Sequence, residues 1–153
     1  MGSTTLLIIL FVVGLDVVIV PLVLVAVVRS NWSPLVAKHP AVPPAADAVG
    51  RNFQSYKIGL FNLGYMIHTT VDDLHLHLFP AKFGRMIGMK PVSIPWEEIT
   101  PVKRRGKKYA EVKIGTNTVL GPRWALELAF ADHPSDPNPD EPTPDHPNRD
   151  SDV

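Results

Sequence analysis

The sequence predicts a mainly β fold: one N-terminal transmembrane α-helix, a small antiparallel β-sandwich or barrel, and a disordered acidic tail. Three observations carry that reading. Residues 4–28 form one apolar run broken only by Asp16 and Pro21. Residues 52–130 hold short β-favouring segments between turn residues, and Leu74-His-Leu76-His-Leu78 alternates at period two, the pattern of a half-buried strand. Residues 131–153 contain six prolines, seven acids and almost nothing apolar. Such a segment cannot bury enough surface to offset its ordering entropy, which predicts disorder.

The apolar run holds nineteen Leu, Ile, Val and Phe residues. As a helix it is ~37 Å long, enough to cross a ~30 Å hydrocarbon core with some tilt. Near the centre each such side chain favours the bilayer by ~0.3–0.6 kcal/mol, which together outweighs the ~2.5–3.5 kcal/mol cost of one Asp. The preceding residues carry no Lys or Arg, the run is longer than a signal-peptide core, and its end is a poor cleavage site, so an uncleaved anchor is expected. Arg29 follows at once, with Lys38, Arg51 and Lys57 beyond. The positive-inside rule then predicts a single-pass protein of the inner (cytoplasmic) membrane with its C-terminal domain in the cytoplasm. An ionisable group at mid-bilayer normally faces other protein, and Pro21 leaves the Val17 carbonyl without its helical donor, predicting a kink. Asp16 and Pro21 are therefore candidate contacts for a partner helix.

A formal net charge of zero conceals a segregation. Residues 29–130 carry fourteen Lys and Arg against seven Asp and Glu, whereas residues 131–153 carry seven acids against Arg149 alone. A basic body and an acidic tail predict electrostatic contacts with each other or with partners. The absence of cysteine excludes disulfides, thiolate metal sites and a Cys nucleophile.

Residues 29–51, with Pro34, Pro40, Pro43 and Pro44, read as a semi-rigid, extended linker rather than a helix. Arg29 and Trp32 are candidate membrane-interface residues, the amphipathic indole suiting the headgroup layer. Strands are expected over 53–60, 65–71, 74–79 and 92–96, with Asp72-Asp73 as a turn and 80–91 as a connection. Residues 99–103 and 109–114 flank Arg104-Arg105-Gly106-Lys107-Lys108 as a hairpin, and 118–120 follow as a strand. Trp124, Leu126, Leu128 and Phe130 alternate and favour a last strand; a short helix opening at Pro122 is the alternative.

Ile94-Pro95-Trp96-Glu97-Glu98-Ile99, preceded by the leucine alternation, resembles bacterial pleckstrin-homology-like (PH-like) domains, in which an I-P-W-x-x-I turn links two strands. Over residues 53–130 the resemblance implies two orthogonally packed antiparallel sheets, Trp96 as a large core plug and Ile99 returning the chain to the core. Pro95 would sit on an edge or bulge, where no ladder N–H is needed. The family closes one end with a C-terminal amphipathic helix; here proline-rich acid follows Trp124 within ten residues, so that helix is expected to be short or absent.

Five cations, Lys103, Arg104, Arg105, Lys107 and Lys108, crowd the hairpin and are candidates for contact with anionic lipid or an acidic partner. Basic residues without interleaved aromatics argue against nucleic acid. His75 and His77 share one strand face, with His68 on the strand before; they are expected to face solvent, and no metal or other cofactor is expected. Adjacent Glu97 and Glu98 would point to opposite faces of a strand, and no Walker, Rossmann, G-x-S-x-G or H-E-x-x-H pattern occurs. The expectation is a non-enzymatic accessory subunit of a larger bacterial membrane complex, of respiratory or photosynthetic type, with other membrane-protein subunits as partners. The alternative is a membrane-tethered PH-like module binding anionic lipid headgroups or a peptide.

Overall fold

A computed structural model describes residues 2–131. Its first element is helix α1 (Ser3–Asn31), which passes through Pro21 without interruption. Among the described residues it is the one helix long and apolar enough to cross a membrane. Residues 4–23 are exposed along its length. Burial begins only in its last turns, where Val28 is 2% exposed.

Helix α2 (Ser33–Lys38) follows directly, so the linker is not extended throughout. Pro34 lies in the first turn of α2, where its missing N–H is not needed and its fixed φ suits the helix. The proline therefore starts a helix that it was expected to prevent. Trp32 and Leu35, 2% and 5% exposed, join the same hydrophobic cluster as the strands.

The rest of the chain forms two antiparallel sheets. Strands β1 (Val49–Gln54), β4 (Ile67–Val71), β5 (His75–Pro80) and β6 (Val92–Pro95) make the first, in the order β1-β4-β5-β6. Strands β2 (Lys57–Ile58), β3 (Phe61–Asn62), β7 (Ile99–Arg105), β8 (Tyr109–Ile114) and β9 (Asn117–Pro122) make the second, in the order β3-β2-β9-β8-β7. A short helix, α3 (Lys82–Met86), bridges β5 and β6. Leu76, Ile94, Val112 and Val119 are fully buried, so both sheets feed one core. Gly121 marks how tightly it closes: a Cβ there would lie 2.4 Å from Tyr56 Cε1.

Three expectations are corrected. Residues 123–130 are helical, not a strand: α4 (Arg123–Leu126) runs into a 3-10 turn (Glu127–Phe130). The buried positions are Ala125, Leu126, Ala129 and Phe130, a spacing of four that a helix satisfies, while Leu128 is exposed. Trp96 is not a core plug. It opens a 3-10 turn (Trp96–Glu98), is only partly buried, and its indole N–H donates to the Asp72 carbonyl. Ile94 and Ile99 fill the core on either side of it. Finally, β1 starts three residues inside the predicted linker. The expected tail disorder concerns residues that, beyond Ala131, lie outside the described ones.

Candidate functional site

Two arrangements concentrate the polar chemistry. The first fastens the linker to the first sheet. His77 was expected to face solvent, but it is 0% exposed. Leu76 and Leu78 point into the core, so His77 and Ser93 occupy the opposite face, and the linker covers that face. Pro40 bridges Val92 at the sheet edge. The Val42 N–H donates to Ser93 Oγ at 3.0 Å, and the Ala45 N–H donates to Asp72 Oδ2 at 3.1 Å. Between these anchors His77 joins Ser93 Oγ through Nδ1 at 2.8 Å and Asp72 Oδ2 through Nε2 at 2.9 Å.

The residue types are those of a hydrolytic triad, but the hydroxyl is enclosed. Ser93 is 3% exposed, and its hydroxyl is engaged by His77 and by the Val42 backbone. It therefore has no open face for a substrate carbonyl. Asp72 also accepts from the Leu74 and His75 N–H groups, closing the turn between β4 and β5. Burial acts to raise the Asp72 carboxyl, yet the bonds from His77 and the Ala45, His75 and Leu74 amides outweigh it and hold the group well below the usual carboxylate range. Ligand atoms of Asp72, His75 and His77 lie within 4.8 Å of one another. A cation there would have to displace the His77–Asp72 bond, since both ring nitrogens of His77 are engaged.

A second anchor lies at the end of α2. Glu98 pairs with Lys38, and His39 Nε2 lies 3.7 Å from the same carboxylate. Burial lowers the His39 imidazole from 6.5, with Glu98 opposing and Lys38 adding to the shift. Glu97 and Glu98 therefore do not work as a pair; one of them holds the helix junction. Upstream, the Trp32 indole N–H donates to the Lys90 carbonyl at 2.7 Å. Trp32 is thus enclosed by protein, with almost no surface left for headgroups.

The second arrangement is a cleft of about 340 Å³ where β1 meets the β7–β8 hairpin. Its principal walls are Arg51, Phe53, Tyr65, Lys107, Lys108 and Trp124. The Arg51 guanidinium stacks 4.7 Å from the Trp124 ring centroid, and the Trp124 indole N–H donates to Gln54 Oε1 at 3.0 Å. Phe53 sits in a register break of β1 with φ of 53°, a left-handed conformation that side chains rarely adopt. That break turns Phe53 outward, 60% exposed, with its ring edge-on to His68. Strain of this kind persists where surrounding structure fixes it, often beside binding sites. The cleft combines flat aromatic faces with cations, and none of the residues lining it is acidic.

The five hairpin cations are divided by the fold. Arg104 turns to Glu127 at 3.0 Å and lies over the Phe130 ring. Arg105 pairs with Glu111. Lys107 and Lys108 line the cleft, and Lys103 is exposed. No single flat surface meets all five. Asp16 is exposed on α1, and Pro21, five residues on, lies ~140° further round a regular helix. The side chain of Arg29 lies outside what the structure describes. Phe53, Tyr65 and Trp124, far apart in sequence on a strand, a turn and a helix, were not legible as a cleft, although the cations beside them were. In comparison with known proteins, no protein-family model matches the chain, and neither does any curated protein or solved structure.

Proposed function

We propose that this chain is a non-enzymatic, single-span membrane subunit whose β-domain sits on the cytoplasmic face of a larger assembly. The observation that carries the reading is the continuity of anchor and domain. Val28, Trp32 and Leu35 belong to the core of the β-domain, so the domain is held against the end of the span rather than swinging on a free linker. Helix α3 supports the same orientation. Its Phe83 and Met86 are 52% and 75% exposed beside Lys82 and Arg85, and it lies in the loop whose Lys90 holds Trp32. Exposed apolar side chains rimmed by cations suit a bilayer surface. The I-P-W-x-x-I turn, two antiparallel sheets and a short closing helix favour a PH-like domain.

A docked span leaves Asp16 for a neighbouring helix, and the basic aromatic cleft for an acidic extended segment of a partner. Extraction in mild detergent followed by sizing should give a particle much larger than the 16.8 kDa chain. Asp16→Leu should lower the proportion in that particle without abolishing it, because hydrogen bonds between helices in bilayers average ~0.6 and reach ~1.7 kcal/mol. A small particle before and after substitution would remove the subunit reading and leave the tethered binding module.

A further inference from the structure

We infer that the cleft is occupied by the chain's own residues 132–153, bound in cis as a displaceable plug. The inference rests on reading the cleft as a binding site for acidic extended segments. The sequence of the tail fits it in a particular way. Pro134-Ser-Asp-Pro-Asn138, Pro139-Asp-Glu-Pro-Thr143 and Pro144-Asp-His-Pro-Asn148 are three successive pentads of one form, P-x-x-P-[N/T]. In a polyproline helix, with three residues per turn, the two prolines of each P-x-x-P fall on one edge. Aromatic-lined grooves recognise that edge, at low ordering cost because the proline chain is already extended. Phe53, Tyr65 and Trp124 supply such faces, 60% and 72% exposed for the first two.

The intervening residues carry the charge. Asp136, Asp140, Glu141 and Asp145 occupy the x positions or begin beside them, and Arg51, Lys107 and Lys108 stand among the aromatics. A neighbouring cleft, lined by Asp47, Asp73, Glu127 and the other flank of Trp124, is acidic and would repel the same segment. Charge therefore selects one side of Trp124. Reach is ample. Trp124 and Ala131 belong to one short helical stretch, ~10 Å apart at 1.5 Å per residue, and each extended pentad adds ~15 Å. The first two pentads suffice to enter the cleft.

The native chain has no cysteine, so an introduced pair reports alone. Full-length protein in detergent would carry Asp140→Cys in the tail with Lys107→Cys in the cleft. The reference pairs Asp140→Cys with Leu60→Cys at the 99%-exposed β2–β3 turn. With oxidised glutathione as oxidant, the cleft pair should form an intramolecular disulfide faster than the reference pair. Arg51→Ala with Lys108→Ala should remove that preference, as should high salt, because the contacts are screened. Equal rates for the two pairs would overturn docking, and a disulfide-linked dimer would overturn docking in cis.

A second arm separates the inference from the reading beneath it. A synthetic peptide of residues 132–153 is titrated against protein truncated after Ala131 and against the full chain. Removing the tail should tighten binding about tenfold for a Kd on the order of 100 µM, since a tethered competitor acts at roughly mM effective concentration. Tight binding to both proteins alike would keep the cleft as a site and reject its own tail as occupant. No binding to either would reject both.

Discussion

The two sheets share one core but treat their outer surfaces differently. The β1-β4-β5-β6 sheet is fastened from outside: linker amides bond to Ser93 and Asp72, Pro40 bridges Val92, and Trp32 reaches Lys90. The β3-β2-β9-β8-β7 sheet carries no such strap among the described residues, and its β7–β8 hairpin walls a cleft that none of them fills. The contrast teaches that burial of polar groups and exposure of aromatic ones have one origin here. The linker spends its backbone donors on the first sheet, so His77 can be buried with its partners satisfied. Among the described residues nothing comparable covers Phe53, on the edge strand β1, or Tyr65, in the turn before β4.

The largest effect should come from cutting the strap at its root. Trp32→Ala removes a ring that is 2% exposed and its bond to Lys90, at a cost of about 3–5 kcal/mol for truncating a buried aromatic. Trp96→Ala, at a half-buried ring, should cost less. Thermal midpoints of the full chain in detergent would order the two; Trp96 as the more sensitive site would reverse the assignment of which tryptophan belongs to the core.

Next comes the polar brace. Asp72→Ala strands the buried His77 ring, and a buried group left unpaired costs about 1–3 kcal/mol, while the exposed Ala45 amide loses its anchor to water. Protease cutting within residues 40–48 should rise with it. The pH dependence follows from two groups. Asp72 titrates well below the ordinary carboxylate range when folded, so its contribution is complete above pH ~4 and is lost as pH falls towards the folded value. His39 titrates below 6.5 when folded, so the unfolded chain takes up its proton first and stability declines as pH falls through 6.5. Acid titration should thus show a shallow early loss that His39→Gln removes and a steeper late loss that Asp72→Asn removes. A single loss insensitive to either change would contradict both assignments.

Gly121→Ala examines the core side of the strapless sheet. The new Cβ would meet the ring of Tyr56, itself 1% exposed and bonded to Thr69 through its hydroxyl, so the ring has little room to yield. Overpacking of this kind costs about 1–3 kcal/mol. A midpoint that does not move would mean that the sheet is loose on its inner face as well as open on its outer one.

What the sequence revealed, and what it hid, divides along physical lines. Period-two alternation located β5, and turn residues located the β7–β8 hairpin, because these signals are local. The apolar run located α1 for the same reason. The brace was invisible because His77 looks like a solvent-facing position until the linker is folded over it. Trp32 was read by its nearness to the span, whereas a tertiary bond to Lys90, fifty-eight residues away, decides its place. Alternation over 124–130 misled because Leu128 sits exposed on a helical turn, and alanines at 125 and 129 carry the buried face. The hairpin cations were legible as a cluster but not in how Glu127 and Glu111 divide them.

The smallest expected effect concerns Arg51, where the two surfaces meet. It belongs to β1 of the strapped sheet but stacks on Trp124, which closes the other. An exposed cation–π contact is worth about 0.5–1 kcal/mol, and Trp124 keeps its bond to Gln54 without it. Arg51→Ala should therefore shift the thermal midpoint only slightly, far less than Trp32→Ala. That modest cost is what makes the residue informative. If Arg51 serves the cleft, its removal weakens binding of acidic peptide while the fold persists, and Arg51→Lys restores charge but not the planar stack. Peptide affinity that recovers fully with Lys would assign the role to charge alone. A large loss of stability would instead make Arg51 a fastening between the sheets and erase the distinction drawn between a strapped surface and an open one.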